Sequence, residues 1–318
     1  MDYFIEFIVS FLIVAILMPL IMKLSNKIGF TDKPTKRKKH KKVTPLCGGL
    51  TMFIGFFIVY YFIANEFDSA HGIWIFVASV LILVIGLVDD YYKSIGKEFP
   101  ILPRLIIQIL AAIIVFNAGV AFKGFTNPFT GVYIELNTFL QFILSITWIF
   151  GVTTVINWSD GMDGLAGSIS LVSSITFFIA AIILSQEYSA SISAALAGVI
   201  AGFLIYNKYP AKVFMGDSGA NFLGFILSII ALDGAFKQAT VLSLLLPILA
   251  LAVPIFDNLF VIFKRFNEGK PVYQADRSQM HFRLEEKGFT KPQIVHFIVG
   301  ISIVCSFLSI ILLFYNHP

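Results

Sequence analysis

The chain has 318 residues, 58% of them hydrophobic and 13% charged, with a mean hydropathy of +0.86. A soluble domain is about half apolar and about a quarter charged, so this composition excludes a soluble globular protein and leaves no room for a second, soluble domain. It predicts a single all-α, polytopic domain over 1–318, embedded in a lipid bilayer.

Ten apolar runs approach the ~17–25 residues that a membrane crossing needs: 3–24, 47–64, 72–88, 101–121, 138–156, 165–185, 188–206, 219–236, 239–263 and 294–314. The first begins among acids (Asp2, Glu6) and has no small-residue cleavage site after it, which reads as a retained span and not a signal peptide. The run 239–263 carries Pro247, Pro254 and Asp257 and is expected to bend or break. Cys47 and Cys305 do not make a disulfide framework.

Lys and Arg set the orientation. Segment 23–46 holds nine of them, 89–104 three, 207–218 two and 264–292 seven, which is 21 of the 23; Lys123 and Lys237 fall on the other side. The basic side is therefore cytoplasmic. With ten spans and an inside first connection, both termini lie outside.

The unusual polar residues share that side. Between two apolar runs stands the octet Asn157-Trp158-Ser159-Asp160-Gly161-Met162-Asp163-Gly164. Its acids, three residues apart, face the same way if the segment opens a helix, and its glycines open the backbone to a ligand. Asp89-Asp90 ends the third run, and Arg104 follows at the head of the fourth, placed to hold a lipid phosphate arriving from the membrane. Gly216-Asp217-Ser218-Gly219 precedes the eighth run. A turn with an Asp cap would explain that segment alone, but beside the other acids Asp217 reads as a metal ligand. Carboxylates without Cys or clustered His favour magnesium or manganese over zinc. The basic run from Lys33 to Lys42 serves as an orientation signal and also suits a polyanionic substrate. Asp257 is an acid near the inner end of a broken span, a functional candidate by its location.

In this order, these segments resemble the polyprenyl-phosphate N-acetylhexosamine-1-phosphate transferase family over essentially the whole chain. The resemblance rests on Asp32-Lys33-Pro34 with Arg37, Lys38 and His40, then Pro45-Leu46-Cys47-Gly48-Gly49 and Gly86-Leu87-Val88-Asp89-Asp90. It continues through the octet with Leu165-Ala166, Val213 to Gly219, and Asp276-Arg277-Ser278 before His281. The spacing is closer to the WecA/TagO branch than to MraY. Two positions depart from the family: Gln279-Met280-His281-Phe282 stands where His-x-His-His is usual, and Ala220 replaces a serine.

The resemblance implies transfer of an N-acetylhexosamine-1-phosphate, by default GlcNAc-1-phosphate, from a UDP-sugar to undecaprenyl phosphate with release of UMP. Attack is direct or passes through an aspartyl intermediate. The setting implied is the first membrane step of a cell-envelope polysaccharide or teichoic acid pathway, in the bacterial plasma membrane. The implied catalytic residues are Asp89, Asp90, Asp160, Asp163 and Asp217. A magnesium (or manganese) ion is expected on Asp217, Asn157 and Asp160. Substrate contacts are expected from His40, Arg104, Asn157, Asp257, Arg277, His281 and Arg283. Expected partners are undecaprenyl phosphate, a UDP-N-acetylhexosamine and the lipid bilayer; a homodimer is a candidate assembly, and no nucleic acid is expected. The altered histidine segment admits a deoxy-N-acetylhexosamine as donor. The rival class is a cation-coupled transporter, which would place acids at mid-bilayer depth in both halves of the chain.

Overall fold

In hydrocarbon a backbone must satisfy its own polar groups, so long apolar runs become helices. The computed structural model describes residues 3–34, 42–62, 71–127, 130, 132–234, 241–271 and 277–316. His40, Asp276 and the center of the basic run lie outside the described residues. Helix α1 covers Tyr3–Ile28, and the two-residue strands β1 (Thr31–Asp32) and β2 (Thr44–Pro45) pair antiparallel behind it. Helices α2 (Gly48–Phe62), α3 (Gly72–Ser94) and α4 (Ile101–Asn117) follow, then a hairpin of β3 (Gly124–Thr126) and β4 (Tyr133–Glu135). The second half runs α5 (Thr138–Ser159), α6 (Leu165–Ile183), α7 (Glu187–Asn207), α8 (Gly216–Asp233), α9 (Val241–Ala250), α10 (Ala252–Asn267), α11 (Met280–Glu286) and α12 (Lys291–Asn316). Among the described residues six helices, α1, α3, α5, α6, α7 and α12, are long and apolar enough to cross a membrane, and α2 and α4 are shorter apolar helices. This is an all-α, multi-pass membrane architecture.

Three sequence expectations need correction. The third run does not stop before Asp89-Asp90: α3 carries both acids inside its last two turns and ends near Gly96, at φ +74°. Asp217 belongs to the first turn of α8 and not to a connection. The octet does not open a helix. Asn157, Trp158 and Ser159 finish α5, Asp160 to Gly164 form a turn, and α6 starts after Gly164 at φ +78°. The expected break in 239–263 is present. Pro254, in the first turn of α10, has no N–H for the carbonyl of Ala250, and that carbonyl instead accepts the Ser173 hydroxyl at 2.6 Å.

Lipid tails are as apolar as leucine, so helix association here depends on close packing, which small residues permit. Gly198 and Gly202, one turn apart on α7, bring that helix against α1: a Cβ on Gly198 would strike the Phe7 carbonyl and Ser10, and one on Gly202 the Phe11 carbonyl. Helix α8 is buried from Ser218 to Asp233, with α3 and α5 against it. A Cβ on Gly86 of α3 would overlap the backbone of Ser218, and one on Gly49 of α2 the backbone of Gly219. Backbone bonds fasten the same region, from Gly48 N–H to the Phe214 carbonyl (3.1 Å), Gly49 N–H to the Met215 carbonyl (3.0 Å) and Phe214 N–H to the Pro45 carbonyl (2.9 Å). Behind them Phe53, Phe56 and Phe57 of α2 pack on Phe222 of α8 with ring centroids 5.5 to 6.3 Å apart. The start of α8 is thus held within contact distance of α2 and α3, and that places the candidate site.

Candidate active site

At one end of the bundle the termini of α3, α4, α5 and α8 meet, and each brings a polar side chain. Asp90 is fully buried. Its Oδ1 accepts the Asp217 N–H at 2.8 Å, and its Oδ2 accepts the Ser218 N–H at 3.1 Å and the Ser218 hydroxyl at 2.7 Å. It therefore caps α8 from a neighboring helix, satisfying N–H groups that the helix itself cannot. Gly216, at φ +72°, leaves room for this: a side chain there would run into the Asp90 carboxylate. Asp89, one residue earlier, points another way. Its Oδ2 lies 3.0 Å from an Arg104 guanidinium nitrogen and 3.5 Å from Lys93 Nζ.

Asp217 completes the cluster. Lys93 Nζ lies 2.7 Å and Arg104 3.6 Å from its Oδ2, and the Asn157 amide donates to its Oδ1 at 3.3 Å. Asp89 and Asp217 thus share two cations, and Asp90 stands behind them on the α8 backbone. Asp160 lies near enough to feel the charge of Asp217. Its carboxyl is pushed up to about 7, first by burial and then by the charge of Asp217.

The fit to a divalent ion follows from this chemistry. Among the described residues no three His, Cys, Asp or Glu side chains come together around a metal position. Magnesium needs only one or two carboxylates and fills its shell with water and substrate phosphate. Asp217, whose oxygens already attract two cations, suits it, with Asp89 sharing those cations. Asn157 directs its amide nitrogen at Asp217, so in this arrangement it braces the carboxylate.

The remaining expected residues form a second group. Asp163 accepts the Ala211 N–H at 3.1 Å. Asp257 accepts the Met280 N–H with both oxygens (2.9 and 2.8 Å) and pairs with Arg283 at 2.8 Å, so it caps α11. Arg277 pairs with Glu285 at 2.8 Å on the surface. His281 is buried, and its Nε2 has no hydrogen-bond partner among the described residues. Its ring lies where a Gly161 side chain would be, and the Phe282 ring lies against it, tilted by 45° with centroids 4.2 Å apart. Burial first, with Arg277 contributing and Glu285 opposing, lowers its pKa to about 4, so the ring is neutral at pH 7. The space that Gly161 leaves by lacking a side chain is thus taken by a side chain of the same molecule.

Two site residues were not singled out in the sequence. Lys93 lies one helical turn after Asp89, an i,i+4 spacing that was available as a signal. Asn207 is buried between two loops: it accepts the Gly164 N–H at 3.0 Å and donates to the Val213 carbonyl at 2.8 Å. It ties the octet to the segment that leads into α8, and no local pattern marks it.

Comparison with known proteins bears on this geometry. The sequence model of glycosyl transferase family 4 matches residues 72–235, which contain α3 to α8 and all of the acids at the cluster. The chain is 35% identical over 308 residues to the probable undecaprenyl-phosphate N-acetylglucosaminyl 1-phosphate transferase of Bacillus subtilis, covering 97% of this chain and 84% of that protein. The chain belongs to glycosyl transferase family 4. Other similar members are the decaprenyl-phosphate N-acetylglucosaminephosphotransferase of Mycobacterium tuberculosis, 29% identical over 86% of this chain and 73% of that one. The phospho-N-acetylmuramoyl-pentapeptide-transferase of Listeria monocytogenes is 28% identical over 96% of this chain and 95% of that protein. In this family 4 chain the cluster of Asp89, Asp90 and Asp217 lies inside the matched region, whereas α11 with His281 lies beyond it.

Proposed function

We propose that the protein transfers N-acetylhexosamine-1-phosphate, with GlcNAc-1-phosphate as the default, from a UDP-sugar to undecaprenyl phosphate in a bacterial cell membrane, releasing UMP. The carrying observation is the carboxylate–cation cluster of Asp89, Asp217, Lys93 and Arg104, in a chain aligned over nearly its full length with a relative named for this transfer. An oxygen of the acceptor phosphate attacks the phosphorus of the sugar-1-phosphate, forming a pyrophosphate, and the bond to the UMP oxygen breaks. Both substrates are polyanions, so cationic groups must offset their repulsion.

Lys93 and Arg104 are held at the cluster by Asp89 and Asp217 and supply two such charges. Asp217, with Asp89 or Asp160 beside it and Asn157 orienting it, would hold magnesium or manganese; when bound, the ion would compensate charge on the donor diphosphate. Asp89 orients the acceptor phosphate or takes its proton, while Asp90 keeps Asp217 in place from beneath. His281, neutral and without a partner at Nε2 among the described residues, lies against Gly161 of the octet, where a shift of α11 would turn its Nε2 toward the donor. Phe282 gives that subsite an apolar face, which favors a deoxy-N-acetylhexosamine as the chief competitor to GlcNAc. We place residues 1–318 in one domain with ten crossings and both termini outside, on the distribution of Lys and Arg. A cell-envelope polysaccharide or teichoic acid pathway is the setting this product suits.

Membranes containing the protein should release UMP from UDP-GlcNAc only when undecaprenyl phosphate is added. Release that ignores the lipid acceptor would refute the reading, and a panel of UDP-sugars would rank the donors. Arg104 opens α4 beside the cluster, where an acceptor phosphate at headgroup depth would arrive. Arg104→Ala should therefore raise the KM for undecaprenyl phosphate more than that for the UDP-sugar. Equal changes would leave Arg104 only its bracing of Asp89 and Asp217.

A further inference from the structure

The apolar core of the molecule is not one piece. A small cluster stands apart from the main core and contains Met162 of the octet, Leu165 and Ile169 of α6, Val253 of α10, and Ile294 and Ile298 of α12. Met280 and Leu284, both on α11, pack against it. The octet is otherwise polar, and the roles assigned above use its Asn and Asp residues but not Met162, although Met162 is buried. The same arm meets the octet region at two further points: His281 lies over Gly161, and Asn258 of α10 donates to the Val155 carbonyl of α5 at 3.3 Å. Asp257 fixes α11 onto α10 at the cap. Met162, between those two acids, and Met280 and Leu284 of α11 thus belong to one packed apolar cluster, which links the arm that carries His281 to the turn that carries Asp160 and Asp163.

We propose that Met162 is a positioning residue that locks the α11 arm onto the octet, so that the two halves of the nucleotide-sugar site are held as one packed unit. The inference rests on the reading that the octet and His281 both face the donor. An unbranched thioether suits the task, because it fills an irregular gap between three helices and a turn. Residues in one packed cluster are expected to couple non-additively when changed.

The test is steady-state kinetics on the full-length protein in detergent, with each substrate varied in turn. Wild-type UMP release that depends on both substrates establishes the underlying reading before any variant is scored. Met162→Ala should then raise the KM for UDP-GlcNAc about tenfold or more, with the KM for undecaprenyl phosphate unchanged within about twofold. Met162→Leu should restore the donor KM to within about threefold of wild type. Leu284→Ala, on the α11 side of the same cluster, should give the same split, and the double variant Met162→Ala with Leu284→Ala should be no worse than the more affected single variant. Equal effects on both substrates, failure of Leu to rescue, or fully multiplicative effects of the two changes would each overturn the proposal. If Met162→Ala does not fold, Leu284→Ala and Met162→Leu still decide it.

Discussion

Asp217→Asn should lower turnover by at least about a hundredfold, a loss of roughly 2.7 kcal/mol in barrier terms, while the protein stays folded in detergent. The carboxylate is the shared partner of Lys93, Arg104 and Asn157. An amide in its place keeps the volume but removes the charge that gathers those cations and would hold a divalent ion. The same protein assayed in EDTA should be inactive, with magnesium or manganese restoring it. Full activity in EDTA, or an Asp217→Asn variant within a fewfold of wild type, would rule out the metal assignment. Asp217 would then be only a brace for Lys93.

Asp90→Ala should be as damaging to turnover, for a different reason that a second measurement exposes. Its carboxylate takes three donors from the first turn of α8 and is fully buried. Each buried donor left unpaired costs about 1–3 kcal/mol, so removal of the side chain should also lower the unfolding temperature in detergent by about 5 °C or more. Asp217→Asn should not do this. Unchanged thermal unfolding with a specific loss of rate in Asp90→Ala would return Asp90 to the catalytic set that the family resemblance implied. The two neighbors thus separate into a carboxylate turned toward the cations and one turned into the fold. Helix geometry accounts for the division, because consecutive residues point about 100° apart on an α-helix.

How much of this was legible in the residues themselves depends on the range of the interaction. A long run of apolar residues becomes helix through its own backbone hydrogen bonds, so the helical membrane class and the break near Pro254 could be read without any partner. Acids beside apolar runs are costly unless used, so Asp89, Asp90, Asp160, Asp163 and Asp217 stood out as a set. Which of them faces the chemistry could not be read, since that depends on contacts between segments far apart in the chain. Asp90 reaches the N–H groups of Asp217 and Ser218 only because Gly86 lets α3 touch α8. Lys93 becomes a site residue only where α3 and α8 converge, and Asn207 only where two loops meet. Gly161 looked open to a ligand until α11 returned to set His281 against it. Local patterns record what a segment can do by itself; the direction of each carboxylate was decided by which helices the glycines allow to meet.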